Sequence, residues 1–179
     1  MVTTVLGMMK RIFSMWIKNL SKEDTALINT YLDDSGKFLF YQMSRIDQHH
    51  ALDVARIIIT EAPDSKLFDQ PKLIKAALLH DIGKVAGDFS FCSRILVGFI
   101  RRTKPTLRGK LAFTNPTSFW ERVGYGFYVD LVHPARGAHM AKIFGVEPTV
   151  VEMIRHHHDP PHEGQSVELT WLQLADSRN

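Results

Sequence analysis

The stretch QPKLIKAALLHDIGK, residues 70–84, decides how the chain is read. Pro71 suits the first turn of a helix, where a backbone N–H has no partner anyway. Leu73, Ile74, Ala77 and Leu78 then recur at the spacing of one buried helical stripe. Gly83 reads as the residue that stops the helix. At the end of the apolar stripe stand His80 and Asp81, an imidazole and a carboxylate side by side. Adjacent helical residues point about 100° apart. They converge on one object only near a helix end, or where that object lies between helices. The pair therefore calls for partners from other helices.

Working outward, the periodicity predicts helices on both sides and no alternating strands. Ser21 followed by Asp24 marks a helix start of the capping-box kind. That helix runs to about residue 32, where Asp33-Asp34-Ser35-Gly36 breaks it. A second begins near Lys37 and continues or kinks into residues 48–55, reading as helix to about Thr60. Downstream, 89–100 is an apolar segment, and 101–116 reads as loop because of Pro105, Gly109 and Pro116. Residues 119–132 are aromatic and glycine-containing and show no clear period. Residues 134–144 form a helix that Gly145 stops, 148–157 another, and 167–177 the last. The fold class expected is all-α, a helical bundle over 21–179. An extension over 1–20 precedes it, with Met8, Ile12, Met15, Trp16 and Leu20 at helical spacing among Lys10, Arg11 and Lys18. That extension reads as an amphipathic helix lying on the domain itself, on a membrane or on a partner.

A length of 179 residues suits one domain, and 45% hydrophobic with 23% charged residues is the balance of a folded chain rather than a disordered one. The lone Cys92 excludes an internal disulfide and reads as a small buried apolar residue. No run of about 18 apolar residues is present to span a bilayer. The N-terminus lacks the order of charge, apolar core and small-residue cleavage site that marks a secretory signal. A cytoplasmic location is expected.

The nine histidines are grouped. His50 lies upstream of His80-Asp81, His133, His157 and His158 lie downstream, and Asp176 sits on the last predicted helix. Inward-facing ligands from several helices are how helical folds build dinuclear metal sites. Imidazole with carboxylate suits iron, manganese or zinc, with nickel admissible, better than calcium. One aspartate can give an oxygen to each of two cations. Two metals about 3.5–4 Å apart can activate a water between them and neutralise a phosphoryl oxygen.

The ordered pattern His50 … His80-Asp81 … Asp176 resembles the HD superfamily of metal-dependent phosphohydrolases. The run DQHHALDVA, 47–55, is similar to that family's first-histidine helix, with His50 rather than His49 in the ligand place, four before Val54. AALLHDIGK, 76–84, is similar to the HDIGK signature, and Leu174-Ala175-Asp176 to the closing aspartate. His133-Pro134-Ala135-Arg136-Gly137-Ala138 and the run IRHHHD, 154–159, resemble elements of the dinuclear branch that includes the HD-GYP phosphodiesterases, with Asp159 where that branch has glutamate. The glycine-tyrosine-proline motif is absent, and Pro160-Pro161-His162-Glu163-Gly164 stands there instead. Ile46 occupies the place from which some members add a third metal. Asp159-Pro160-Pro161 and the segment 172–179 look like the ending of other HD hydrolases. The resemblance covers about residues 45–178. It implies two divalent metals, one held by His50, His80, Asp81 and Asp176, the other by Asp81, His133, His157 and His158. It also implies hydrolysis of a nucleotide or other small phosphoester by a hydroxide between the metals, with Asp81 and Lys84 as catalytic residues and Lys84 facing the substrate phosphate.

Between the two halves of the motif lies an insert, about 89–132. From Phe89 to Trp120 it has six Lys or Arg and no Asp or Glu, interleaved with Phe91, Phe99, Phe113, Phe119 and Trp120. It reads as a lid whose Arg101 and Arg102, with Arg136, bind an anionic substrate and whose aromatics stack on a base. A solvated basic face is the plainer alternative, and residues 95–100 followed by Arg101-Arg102 also fit weak contact with a membrane surface. Nothing singles out nucleic acid or an oligomeric state. His139 and Asp159 are candidate acids for the leaving group. A di-iron oxygenase of the same fold and a non-catalytic nucleotide-sensing module share the ligand pattern.

Overall fold

Ser21 accepts a hydrogen bond from the Asp24 N–H, and the Asp24 carboxylate accepts one from the Ser21 N–H at 2.7 Å, so the expected capping box opens α1, Lys22–Tyr31. The structure, a computed structural model, describes residues 7, 14, 15, 18–63 and 68–178. The amphipathic helix expected over 1–20 lies almost wholly outside the described residues. Asp33 caps α2, Asp34–Gln42, by accepting from Gly36 N–H. α1 ends at Tyr31 with Leu32 as its cap, where the break was expected, and the acidic stretch that follows also starts the next helix, because its carboxylates satisfy and favour a helix N-terminus. Met43 makes an isolated bridge with Val85. Ser44 then caps a separate helix, α3, Arg45–Glu61.

Asp69 and Pro71 start α4, Gln70–Leu79, whose Leu73, Ile74, Ala77 and Leu78 are buried as the stripe predicted. The insert is more helical than its sequence suggests. It holds α5, Phe91–Thr103, a 3-10 turn at Pro105–Leu107 and a short α6, Arg108–Leu111, where a loop was expected. Pro105 opens the 3-10 turn rather than ending structure, since its fixed φ suits a first turn. Then α7, Phe119–Ile143, runs unbroken through the unassigned region and through Pro134, which was expected to start a helix. Gly145, at φ +75°, ends it. Its N–H donates to Lys142 and that of Val146 to Ala141, a Schellman closure. Pro148–His156 forms α8 and Val167–Ser177 forms α9. Among the described residues the fold is all-α with no strand, and no helix is long and apolar enough to cross a membrane. Cys92 is exposed at the start of α5, not buried as its residue type suggests.

The main core draws on α1 to α4, the end of α7, α8 and α9, with Leu39, Phe40, Leu52, Ile58, Leu78, Leu79, Ile154 and Leu172 among its buried side chains. Lys75, buried in α4, meets Asp33 and Glu147 at 3.0 Å each and so ties α4 to the starts of α2 and α8. Gly83 does not end α4 as expected, for His80 already caps it. Its role is close approach. A Cβ there would overlap the His133 carbonyl oxygen and come 2.9 Å from the Gly137 nitrogen. The two glycines let the loop after His80-Asp81 lie directly against the turn of α7 that carries His133.

Candidate metal centre

Proline at 134 has no N–H, so the Asp130 carbonyl one turn earlier in α7 lacks its helical donor. The His133 ring fills that place, with Nδ1 2.9 Å from Asp130 O. The same arrangement recurs at two helix ends, where the last carbonyls have no partner in their helix. His80, the cap of α4, sets Nδ1 2.8 Å from Ala77 O, and His157, the cap of α8, sets Nδ1 2.7 Å from Ile154 O. A carbonyl only accepts, so each Nδ1 carries the proton. Each neutral ring then presents a bare Nε2 lone pair. All three rings are fully buried.

These lone pairs meet at Asp81. Its Oδ2 lies 3.6 Å from His80 Nε2 and 3.9 Å from His50 Nε2. Its Oδ1 lies 3.2 Å from His133 Nε2 and 3.8 Å from His157 Nε2. Asp176, arriving on α9, sets Oδ1 2.9 Å from His50 Nε2 and 3.7 Å from His80 Nε2, and Oδ2 3.4 Å from His158 Nε2. Three groups have ligand atoms within 4.8 Å of one another: His50, His80 and Asp81; His133, His157 and His158; and His80, His157 and Asp176. Ligands about 2.1 Å from one ion stand roughly 3.0–3.4 Å apart at octahedral to tetrahedral angles, close to this spacing. His49 turns elsewhere, its Nε2 3.0 Å from Lys18 O.

The protein leaves these atoms short of partners. His80 Nε2 and Asp81 Oδ1 are buried with no hydrogen bond, and His133 Nε2 faces His157 Nε2 at 3.3 Å. Two bare nitrogens at that distance repel unless a cation lies between them, so the donor set fits a metal. Burial holds the His80 and His157 rings below the usual imidazole range and His133 down to about 4, with Lys84 adding to the effect at His133. Burial alone would raise Asp81, but the Lys84 ammonium beside it holds its carboxyl well below the usual range. Burial opposes ionisation of Asp176 too, and His158 and His50 outweigh it. Neutral imidazoles beside ionised carboxylates are the protonation states that metal binding needs.

A cavity of about 1110 Å³ opens over Asp81, His50, His157, His158 and Asp176. Lys84 lines it and sets Nζ 2.8 Å from Asp81 Oδ2. Arg101 and Arg102 line it from the last turn of α5. Arg136 does not. Its guanidinium donates to Gly83 O at 2.6 Å and pairs with Asp88, bracing the loop after Asp81. None of Phe91, Phe99, Phe113, Phe119 or Trp120 is among the described lining residues, so the aromatics expected over the site lie elsewhere. Asp159 lines the cavity, whereas His139 is exposed on α7 outside it.

Three residues without an expected role belong to the site. Asp47, one turn before His50 on α3, is buried and takes two hydrogen bonds from Arg94, the first at 2.7 Å. Both line the cavity, and the pair fastens the insert to the His50 helix. Asp47 was legible as sharing a face with His50; its partner was not. Gln173, one turn before Asp176, donates at 3.0 Å to the carbonyls of both His156 and Asp159 and holds the three-histidine turn against α9.

Comparison with known proteins adds no relative: no family model, no curated protein and no solved structure matches the chain.

Proposed function

We propose that this chain is a cytoplasmic, metal-dependent phosphohydrolase of the HD kind, acting on a nucleotide or other small phosphoester. One observation carries the reading. The two oxygens of a single buried carboxylate, Asp81, face two different pairs of imidazole nitrogens. That is the arrangement a bridging ligand needs. His50, His80, Asp81 and Asp176 would hold one divalent transition metal, and Asp81, His133, His157 and His158 a second. Iron or manganese suits this set first, zinc or nickel next. When bound, the metals supply an activated water and positive charge for a phosphoryl oxygen.

The chain's own residues do the rest. The carbonyl-anchored rings hold their Nε2 atoms in place before any ligand arrives, which spares reorganisation. Lys84, between Asp81 and the cavity, sets an ammonium where negative charge gathers on the substrate. Arg101 and Arg102 draw anions into the cavity and hold them. Arg136 is left out of substrate binding because Gly83 and Asp88 occupy it.

The test is elemental analysis of anaerobically purified protein, followed by a panel of nucleotides and phosphoesters. Two transition-metal ions per chain and release of inorganic phosphate or a phosphomonoester are expected. One ion or none would end the dinuclear assignment. Two ions with no phosphoester cleaved, but dioxygen consumed on an organic substrate, would replace hydrolysis by oxygenase chemistry.

A further inference from the structure

The insert carries an outer surface that the phosphoester reading does not use. Of its six Lys or Arg between 89 and 120, Arg94 is neutralised by Asp47 and Arg108 by Asp130 at 2.8 Å, while Arg101 and Arg102 line the cavity. Lys104 and Lys110 remain exposed, as does Arg122 in the first turn of α7. Apolar surface lies on the same insert, where α6 packs against α7. The Phe113 N–H donates to Gly124 O at 3.2 Å, which lays the strand of chain after α6 along the first turns of α7. There Phe113 is 48% exposed, Phe119 59% and Trp120 77%. Phe119 and Trp120 touch edge to face, ring centroids 5.2 Å apart. Glu121, next to Trp120 in the chain, is bound to Thr117 and to the Ser118 N–H at the helix start.

Clustered exposed rings of this kind mark an interaction surface. A second copy meeting this face about a two-fold axis would bring the same cations together. A neutral apolar partner would leave them without counter-charge. Rings that lean on each other edge to face do not present the open parallel platform on which bases stack. An anionic lipid surface answers both halves of the patch, because indole and phenyl rings settle at headgroup level while Lys and Arg meet lipid phosphates. We infer that the insert docks this protein peripherally on anionic membranes, with Phe119 and Trp120 entering the interface and Lys104, Lys110 and Arg122 on the headgroups. The same insert supplies Arg101 and Arg102 to the cavity, so docking tethers the segment that lines the metal centre.

The experiment is co-sedimentation of the full-length, metal-loaded protein with vesicles of phosphatidylcholine alone or with about one third phosphatidylglycerol. Binding to the anionic vesicles, falling with salt, and little to the neutral ones is expected. Lys104→Glu with Lys110→Glu should lower the partition coefficient more than tenfold, since each cation near such a surface contributes about fivefold. Trp120→Ala should lower it about tenfold through lost apolar burial. Both variants alter exposed residues outside the cavity, so phosphoester hydrolysis in free solution should be unchanged. Equal binding to both vesicle types, or none to either, overturns the inference. A dimer in light scattering that Trp120→Ala dissociates would assign the face to a second copy. Binding of a single-stranded oligonucleotide that depends on Trp120, without vesicle binding, would assign it to nucleic acid.

Discussion

Asp81 has two oxygens and they face different neighbours, Oδ2 toward His80 and His50, Oδ1 toward His133 and His157. A residue placed this way does not lose half of its role on substitution. Asp81→Ala should abolish phosphoester hydrolysis and lower the occupancy of both metals, read by elemental analysis of the purified variant. His50→Ala should cost mainly one ion and His157→Ala mainly the other. If Asp81→Ala kept a full complement at one site, Asp81 would be a ligand of a single metal. His80, unlike His50, is fully buried with its Nδ1 on a carbonyl. Its truncation also leaves the Ala77 carbonyl without a donor, so His80→Ala should weaken the fold as well as the site.

Within the elements, the centre depends on defects in helices. Pro134 is a poor helix residue at an interior position, and its missing N–H is what leaves Asp130 O to the His133 ring. Pro134→Ala would restore a backbone donor that competes for that carbonyl. The helix should gain stability while His133 loses its fixed tautomer. We expect an unchanged or raised melting temperature without metal, and metal affinity about tenfold weaker, the usual scale for loss of an outer hydrogen bond to a ligating imidazole. Unaltered affinity in a metal-competition titration would remove Pro134 from the design of the site. The insert makes a separate contribution. Arg101 and Arg102 line the cavity from the end of α5, and neither belongs to the grouped imidazoles and carboxylates. Neutralising both should raise KM for an anionic substrate several-fold and flatten its salt dependence, with kcat changing less. Lys84→Ala should lower kcat, because its ammonium stands next to Asp81. Equal constants and salt slopes in the double arginine variant would leave those cations as a solvated rim.

Across the whole molecule, the buried histidines tie stability to acidity. His133 is held neutral, its folded value about 4 against an ordinary 6.5. The unfolded chain therefore binds more protons than the folded one between those values, and stability falls as pH falls through that window. His80 and His157 shift the same way, and the depressed Asp81 and Asp176 carboxylates add a loss at still lower pH. Metal-free protein should show a melting temperature that drops steadily from pH 7 to pH 4. Loaded protein should melt higher at pH 7 and lose that advantage over the same range, as protons displace the ions. A flat profile for the metal-free protein would mean the rings are not buried as neutral bases.

The all-helical fold was legible in the sequence, and so were the seven His and Asp residues that the fold brings together, because a buried helical stripe and a polar residue at its end are local features. Period 3.6 marks a buried stripe such as Leu73, Ile74, Ala77 and Leu78. An imidazole or carboxylate at the end of such a stripe stands out whatever surrounds it. The continuous α7 was not legible, because Pro134 and several glycines break the local signal and only packing against the neighbouring helices overrides it. Nor was the work of Gly83, which follows from the approach of His133 and Gly137, some fifty residues away. The pairing of Arg94 with Asp47, the engagement of Arg136 by Asp88, and the removal of the insert aromatics from the cavity have the same origin. A charged or aromatic side chain in an insert has many partners within its reach, and its sequence neighbours do not choose among them. Helical type and the presence of an imidazole or carboxylate at a helix end are local properties of the chain. Which cation is free to meet a substrate, and which oxygen of Asp81 faces which histidine, depend on distances between segments that only the folded arrangement sets.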